Sequence, residues 1–269
     1  MQIFESHCHL DDRSYADDLD KVIERARSAQ VCAMMTVGTD GPSSGRAVVI
    51  ADQYPKIYAA VGLHPHDAKI CDEETLSGLE ALARHAKVRA WGEIGLDFNR
   101  MYSPARAQER WFERQIESAL EMELPMIFHE RDSRGRFKDI LRSFWTNEHK
   151  GVVHCFSGSE DELDVYLDLG LHIGITGIVT MKSRGAALRR MVQRIPAERL
   201  LVETDAPYLT PAPERNKHRR NEPAFVRSVL LRLADVRREP AEDLAAVVWS
   251  NTCRLFDLPE NGRCSAAGD

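Results

Sequence analysis

Residues 3–11 read Ile3-Phe4-Glu5-Ser6-His7-Cys8-His9-Leu10-Asp11, and this stretch decides between two α/β architectures. Residues 3–6 have the apolar, alternating character of a short strand. A doubly wound open sheet normally follows its first strand with a glycine-rich turn. This turn contains no glycine. It offers His7, His9 and Asp11 instead, and polar donors at the C-terminal end of a strand are what a (β/α)8 barrel uses to build its active site.

Working outward, the same alternation of short β-rich segments with longer segments of helical period continues along the chain. Further strands are predicted at 32–37, 57–61, 89–93, 126–128, 151–154, 172–175 and 200–203. The intervening helices carry end signals. Ser103 is expected as an N-cap with Pro104 at the first helical position, and Trp111, Phe112, Ile116, Ala119 and Leu120 fall on one stripe before Leu124-Pro125 ends the helix. Ser159 with Glu162 makes a capping-box pattern, and Gly170 is placed for a left-handed exit. Eight β-then-α units predict a single TIM-type barrel domain over residues 1–258, with a flexible tail at 259–269, where apolar periodicity stops.

Composition agrees with a globular chain. Of 269 residues, 43% are apolar and 29% charged, with 16 Gly and 12 Pro, which excludes collagen-like, low-complexity and disordered classes. The 36 basic against 42 acidic residues leave a formal charge of −6, so this is not a basic body that coats nucleic acid, and any polyanion contact must be local. The six cysteines contain no C-x-x-C pair, Met1 is followed by Glu5, Asp11 and Asp12 rather than a basic-then-apolar leader, and apolar runs fall short of the roughly 18 residues of a membrane span. A reduced, cytoplasmic setting is expected.

Sorting the histidines and acids by strand end places His7, His9, His64, His66, Glu93, His129, His154 and Asp205 on one rim. His85, His149 and His172 fall at the start of strands and are assigned to structure. His7 and His9, two apart, face the same way and can reach one ion. Alone the spacing is weak, since ten histidines in 269 positions give about 0.4 chance H-x-H matches. Its company strengthens it: His7, His9, Glu93, His129, His154 and Asp205 supply enough N and O donors for two divalent cations in a carboxylate-bridged site. The alternative is a set of buried, hydrogen-bonded polar residues. Cys8 and Cys155 adjoin histidines, but the pleat turns them outward as small hydrophobes. A ligand set of N and O only suits Mg²⁺, Mn²⁺ or Zn²⁺ without choosing among them.

The motifs Ser6-His7-Cys8-His9-Leu10-Asp11, Val61-Gly62-Leu63-His64-Pro65-His66, Gly92-Glu93-Ile94-Gly95-Leu96-Asp97, His154-Cys155-Phe156-Ser157-Gly158, Glu203-Thr204-Asp205-Ala206-Pro207-Tyr208, Arg220-Asn221-Glu222-Pro223 and Asn251-Thr252 follow one another in an order that resembles the TatD family of metal-dependent deoxyribonucleases, within the amidohydrolase-like barrels. The resemblance spans about residues 2–258. It departs after His129, where Glu130 precedes Arg131 and Arg134 and Arg136 follow. It implies that His7, His9, Glu93 and Asp205 hold one divalent ion, that Glu93, His129 and His154 hold a second, and that Glu93 bridges. It also implies phosphodiester cleavage from the 3′ end of single-stranded DNA, sometimes RNA, with Mg²⁺ supporting activity, and favours a monomer.

On the residues themselves, Asp205 is the best candidate to orient or deprotonate a water. His64 and His66 are read as donors to the scissile phosphate, with a second H-x-H metal pair or loop packing as alternatives. Arg215, Lys217, Arg219 and Arg220 oppose only Glu214 after strand eight, and Arg131, Arg134 and Arg136 follow strand five. Of these, Arg131, Lys217 and Arg220 are the candidate phosphate contacts, although a charge run is commonly just a solvated surface. Tyr102 is a candidate to stack a base. Two further readings remain: a metal-dependent hydrolase of a small ester, lactone or amide, and a non-catalytic nucleic-acid-binding module.

Overall fold

The computed structural model describes residues 1–146 and 148–260. One eight-stranded sheet runs in the order of the sequence: β1 (Ile3–Cys8), β2 (Val31–Val37), β3 (Ile57–Val61), β4 (Val88–Asp97), β5 (Met126–Arg131), β6 (Gly151–Val153), β7 (His172–Ile175) and β8 (Leu200–Val202). The pairs β3/β4, β4/β5, β5/β6 and β7/β8 are all parallel. Between the strands lie α1 (Leu19–Ser28), α2 (Gly41–Gln53), α3 (Glu73–Ala83), α4 (Ala105–Glu121), α5 (Arg136–Phe144), α6 (Glu160–Asp168) and α7 (Ala186–Met191). After β8 come α8 (Ala212–Arg215), α9 (Val226–Arg237) and α10 (Ala241–Leu255). The fold is the (β/α)8 barrel that the alternation predicts. The chain divides into two compact units, one of residues 1–35 and 173–260, the other of residues 36–172.

In the first unit every residue of β1 is buried, and α10 packs on this strand, with Phe4 and Trp249 rings 5.7 Å apart. The loop before α9 is tied to α1 by charge: Arg25 donates to both carboxylate oxygens of Glu222, at 2.7 and 2.8 Å. In the second unit, α4 and α5 cover β5 with aromatic rings. Phe112 stacks on Phe137 at 5.2 Å, and Phe128 meets Phe137 edge-on at 5.4 Å. Each such buried ring stabilises the fold by about 2–3 kcal/mol, which fixes the strand that carries His129.

Several local expectations hold. Ser159 and Glu162 form both bonds of the capping box, and Gly170 adopts φ 74° after α6. Two others need correction. Ser103 does not cap α4, whose N-cap is Pro104 with no side-chain bond; its hydroxyl donates to His66 O at 2.7 Å and accepts from Lys69 N–H at 2.9 Å. Strands β4 and β5 are longer than predicted because Gly95↔His129, Leu96↔Glu130 and Asp97↔Arg131 continue the ladder. Gly95 permits this: at φ 143° a Cβ there would meet His129 O at 1.9 Å.

Of the predicted tail, residues 261–269 lie outside the described residues. Glu260 is held by Trp249 Nε1–H donating to its carbonyl at 3.3 Å and by Ser250 Oγ–H donating to its carboxylate at 2.8 Å. Cys8, Cys71, Cys155 and Cys253 form no disulfide. Among the described residues, no helix is long and apolar enough to cross a membrane.

Candidate metal centre

In the second unit the donors converge on one carboxylate oxygen. Glu93, within β4 and 3% exposed, has its Oε1 at 2.7 Å from His129 Nδ1, 2.8 Å from His154 Nε2 and 3.4 Å from His64 Nε2. Burial alone would raise its pKa, but the three surrounding imidazoles outweigh burial and hold it well below the usual carboxylate range. His64, Glu93 and His129 each offer a ligand atom within 4.8 Å of the others.

His64 has a defined tautomer. Its Nδ1 accepts the His66 backbone N–H at 3.1 Å, so the neutral ring carries its proton on Nε2 and points a donor into the site. Burial pushes its pKa down to about 4, which keeps the ring neutral at physiological pH. This geometry favours the hydrogen-bond donor over the ligand. His66 is different: its Nε2 lies 2.8 Å from Asp97 Oδ2, leaving Nδ1 as its one uncommitted nitrogen, and Tyr102, half exposed, sits edge-on to it at 4.7 Å.

Asp97 is the residue that sorting by strand end missed. It is 1% exposed. Its Oδ2 faces His66 and also His129 Nε2, the latter at 3.4 Å, while Oδ1 accepts the backbone N–H groups of Asn99 and Arg100 at 2.9 and 2.7 Å. Burial would raise its pKa, but bonds from His129 and His66 depress it strongly. His129 thus sits between two carboxylates, and these outweigh burial and raise its own pKa. The sequence signal was the last residue of the Gly92–Asp97 motif, read only for its glutamate.

Two buried glutamines of α4 hold the loops that carry these groups. Gln108 accepts from Asp97 N–H at 2.8 Å and donates to Asp97 O at 3.1 Å. Gln115, two turns later on the same face, accepts from Leu63 N–H at 2.7 Å and donates to Leu63 O at 3.0 Å. Each satisfies both polar groups of a site residue or its neighbour, so the helix sets the backbone from which Asp97 and His64 project.

In the first unit a second set forms. His7 and His9 point to one place, as their spacing predicts, with Nε2 atoms 3.4 Å apart. Asp205 Oδ1 lies 3.3 Å from His9 Nε2 and 3.9 Å from His7 Nε2. Asp205 stands three residues beyond β8 at φ 57°. The backbone ties it back, with Asp205 N–H donating to His7 O at 3.0 Å and His9 N–H to Ala206 O at 2.8 Å. Cys8 is buried and donates to Met35 O at 3.4 Å, consistent with an outward-facing hydrophobe. Cys155 follows β6 at φ 49°, so strand pleating does not govern it.

The basic candidates divide. Arg220 donates to both carboxylate oxygens of Asp18 at 2.7 and 2.6 Å and to Glu222 at 3.4 Å, and stacks over Tyr15 at 4.7 Å. That guanidinium is committed to the fold rather than waiting for phosphate. Arg131 and Lys217 have no ion pair among the described residues. Arg136 pairs with Glu109 at 3.0 Å, and Glu130, where the family pattern departs, accepts from Ser133 N–H at 3.0 Å to close a turn. His85 and His149 each accept a local backbone N–H, at 3.2 and 3.0 Å, as structural residues do.

Imidazoles and carboxylates gathered at the ends of barrel strands define the class as a metal-dependent hydrolase. The family model for TatD-related DNases matches residues 4–257, and the chain belongs to that family. It is 42% identical to the 3′-5′ ssDNA/RNA exonuclease TatD of Rahnella sp. (strain Y9602) over 95% of this chain and 98% of that one. It is 38% identical to the metal-dependent hydrolase YabD of Bacillus subtilis (strain 168), over 95% and 99% of the two chains. Among solved structures, YJJV, a TatD homologue from Escherichia coli K12, superposes with TM-score 0.87 at 31% identity, covering 96% of this chain and 98% of that one.

Proposed function

We propose that this protein is a divalent-metal-dependent 3′-5′ exonuclease acting on single-stranded DNA or RNA. The observation that carries the reading is the buried Glu93 carboxylate held ionised by three imidazoles, in a chain whose relative of 42% identity bears that activity in its name. The donors are all N and O, which suits Mg²⁺, Mn²⁺ or Zn²⁺. Buried charge of this density, surrounded by histidines, has the chemistry of a cation cage.

In this reading residues 1–258 act as one barrel domain, and a barrel opens the C-terminal ends of its strands on one rim. His7, His9, Glu93 and Asp205 would hold one ion and Glu93, His129 and His154 a second, with Glu93 shared between them. When bound, the ions supply a nucleophile from water at neutral pH and offset charge developing on the phosphoryl oxygens. Asp97 Oδ2, 3.4 Å from His129 Nε2, places negative charge behind the ring that presents Nδ1 to the Glu93 side. Asp205, more exposed at 15% than Glu93 at 3%, would orient a water and accept its proton. His64 would donate Nε2–H to a non-bridging oxygen of the scissile phosphate; His66, whose Nε2–H serves Asp97, would donate there from Nδ1 with both ring nitrogens protonated, and Arg131 and Lys217 would contact phosphates of the bound strand. The protein works as a cytoplasmic monomer.

End-labelled single-stranded DNA and RNA incubated with Mg²⁺, Mn²⁺ or Zn²⁺ should release nucleotides one at a time from the 3′ end, more slowly with a 3′ block, and chelator should stop the release. Endonucleolytic nicking of circular DNA as the main activity would overturn this. Turnover of small esters, lactones or amides without DNA cleavage by the same preparation would favour the alternative hydrolase.

A further inference from the structure

The first unit contains a cleft of about 1060 Å³ lined by Lys182, Arg184, Arg215, Lys217, His218 and Arg219 among others. Sequence reading placed a basic loop after β8, but it missed the opposite wall, the loop after β7 that carries Lys182 and Arg184. The five lysines and arginines are exposed, and none makes an ion pair among the described residues. The one acid between Pro211 and Arg220 is turned to α9: Glu214 accepts from the Ser228 hydroxyl. Arg220, the next residue after Arg219, is neutralised by Asp18. The fold therefore pairs one arginine of this loop and leaves its neighbours unpaired.

The two walls are joined rigidly. Thr180 Oγ1 accepts the Ala212 N–H at 2.8 Å and donates to Gly177 O at 2.6 Å. A Cβ at Gly177 would stand 2.4 Å from Leu209 O, so the loops touch backbone to backbone. The guanidinium of Arg189 braces the β7 loop from beneath by donating to Val179 O, Met181 O and Lys182 O at 2.9, 2.7 and 2.7 Å. One wall begins four residues after Asp205, and Tyr208 N–H donates to Asp205 O at 2.8 Å, so the backbone ties that wall to the segment that carries this acid.

A small-molecule pocket is mostly apolar and about 300–1,000 Å³ in volume; this cleft is at the top of that range and is lined by cations. We propose that it binds the phosphodiester backbone of a single-stranded nucleic acid several nucleotides from the end being hydrolysed, holding the body of the strand while its end is cleaved. The inference rests on the nuclease reading above. It accounts for how a chain of formal charge −6 grips a polyanion: attraction is concentrated on one preorganised track.

The test measures fluorescence anisotropy of labelled oligo(dT) of 20 and of 4 nucleotides with the full chain in EDTA, so that binding is read without cleavage. The wild type should bind the 20-mer about tenfold tighter than the 4-mer at low salt. Lys182→Ala/Arg184→Ala/Arg219→Ala should abolish that difference and reduce the slope of log K against log salt by about 2, since each phosphate neutralised on a single strand contributes about 0.7. A charge-matched control outside the cleft, Lys21→Ala/Arg27→Ala/Arg190→Ala, should keep the length dependence, and circular dichroism melts should show all three proteins folded. Equal losses in both variants would assign the effect to overall charge and overturn the proposal. So would no loss in either, or a cleft variant that weakens the 4-mer as much as the 20-mer, which would mark a single-phosphate site. A wild type that binds with length dependence yet cleaves no single strand in Mg²⁺ or Mn²⁺ would sink the nuclease reading alone.

Discussion

Glu5 and Glu93 are both buried glutamates, 0% and 3% exposed, each in a barrel strand that carries proposed ligands, and the protein treats them in opposite ways. Glu93 Oε1 has three imidazole nitrogens within 3.4 Å and is held ionised. Glu5 Oε1 accepts the backbone N–H groups of His7 at 3.1 Å and Thr204 at 2.9 Å, with no imidazole among its partners, while its Oε2 is buried with no hydrogen-bond partner. Burial raises the Glu5 pKa well above its ordinary value, against the lowering effect of those bonds. Burial alone does not make a carboxylate a ligand. Imidazoles that compensate the charge do.

The largest effect expected from this contrast is at Glu93. Glu93→Gln keeps the shape and removes the charge around which His64, His129 and His154 gather. Cleavage should fall by more than the 10²–10³ that one preorganised electrostatic contact is worth. The rise in Tm that Mn²⁺ gives the wild type should vanish as well. A variant that kept both would show that the imidazoles gather around Glu93 for structure rather than for metal.

An intermediate effect is expected at Asp97, which separates positioning from ligation. Asp97→Asn retains size but no longer presents an anionic acceptor to His129 Nε2 and His66 Nε2. Partners of ligating histidines are worth about 10–100-fold in metal affinity, and calorimetric titration of Mn²⁺ should show a loss in that range with the stoichiometry unchanged. An unaltered affinity would reduce Asp97 to a loop-packing residue whose bonds to Asn99 and Arg100 are its whole role.

Asp97 also shows where the sequence was opaque. The alternation of periods located all eight strands, and the histidines announced themselves by type and by strand end, because period and residue chemistry are local properties. Asp97 followed a motif already explained by Glu93, and no local pattern reveals that its carboxylate reaches two rings, one 31 residues before it and one 32 after. Gln108 and Gln115 read as polar interruptions of the apolar stripe on α4, since their partners Asp97 and Leu63 are set by packing. Arg220 was misread for the same reason: its motif looks basic, and only the fold brings Asp18 to it. Ser103 had the residue type and position of a cap, yet the loop at His66 and Lys69 claims its hydroxyl.

The smallest effect is expected at Glu5, and its sign with pH is the sharpest check on the contrast. In the unfolded chain Glu5 ionises near 4.5, while burial keeps it protonated to higher pH in the folded protein. Between those values the native state binds the extra proton, so the wild type loses stability as pH rises through that window. Glutamine mimics the neutral acid: it retains an acceptor for the His7 and Thr204 N–H groups and does not ionise. At pH 4 Glu5→Gln should therefore change stability by less than about 1 kcal/mol in urea melts of the metal-free protein. As pH rises the variant should gain on the wild type, because only the wild type carries the cost of ionising or of remaining protonated. A variant that instead fell behind with rising pH would mean that Glu5 is charged and compensated in the folded state, as Glu93 is, and the distinction between the two buried glutamates would disappear.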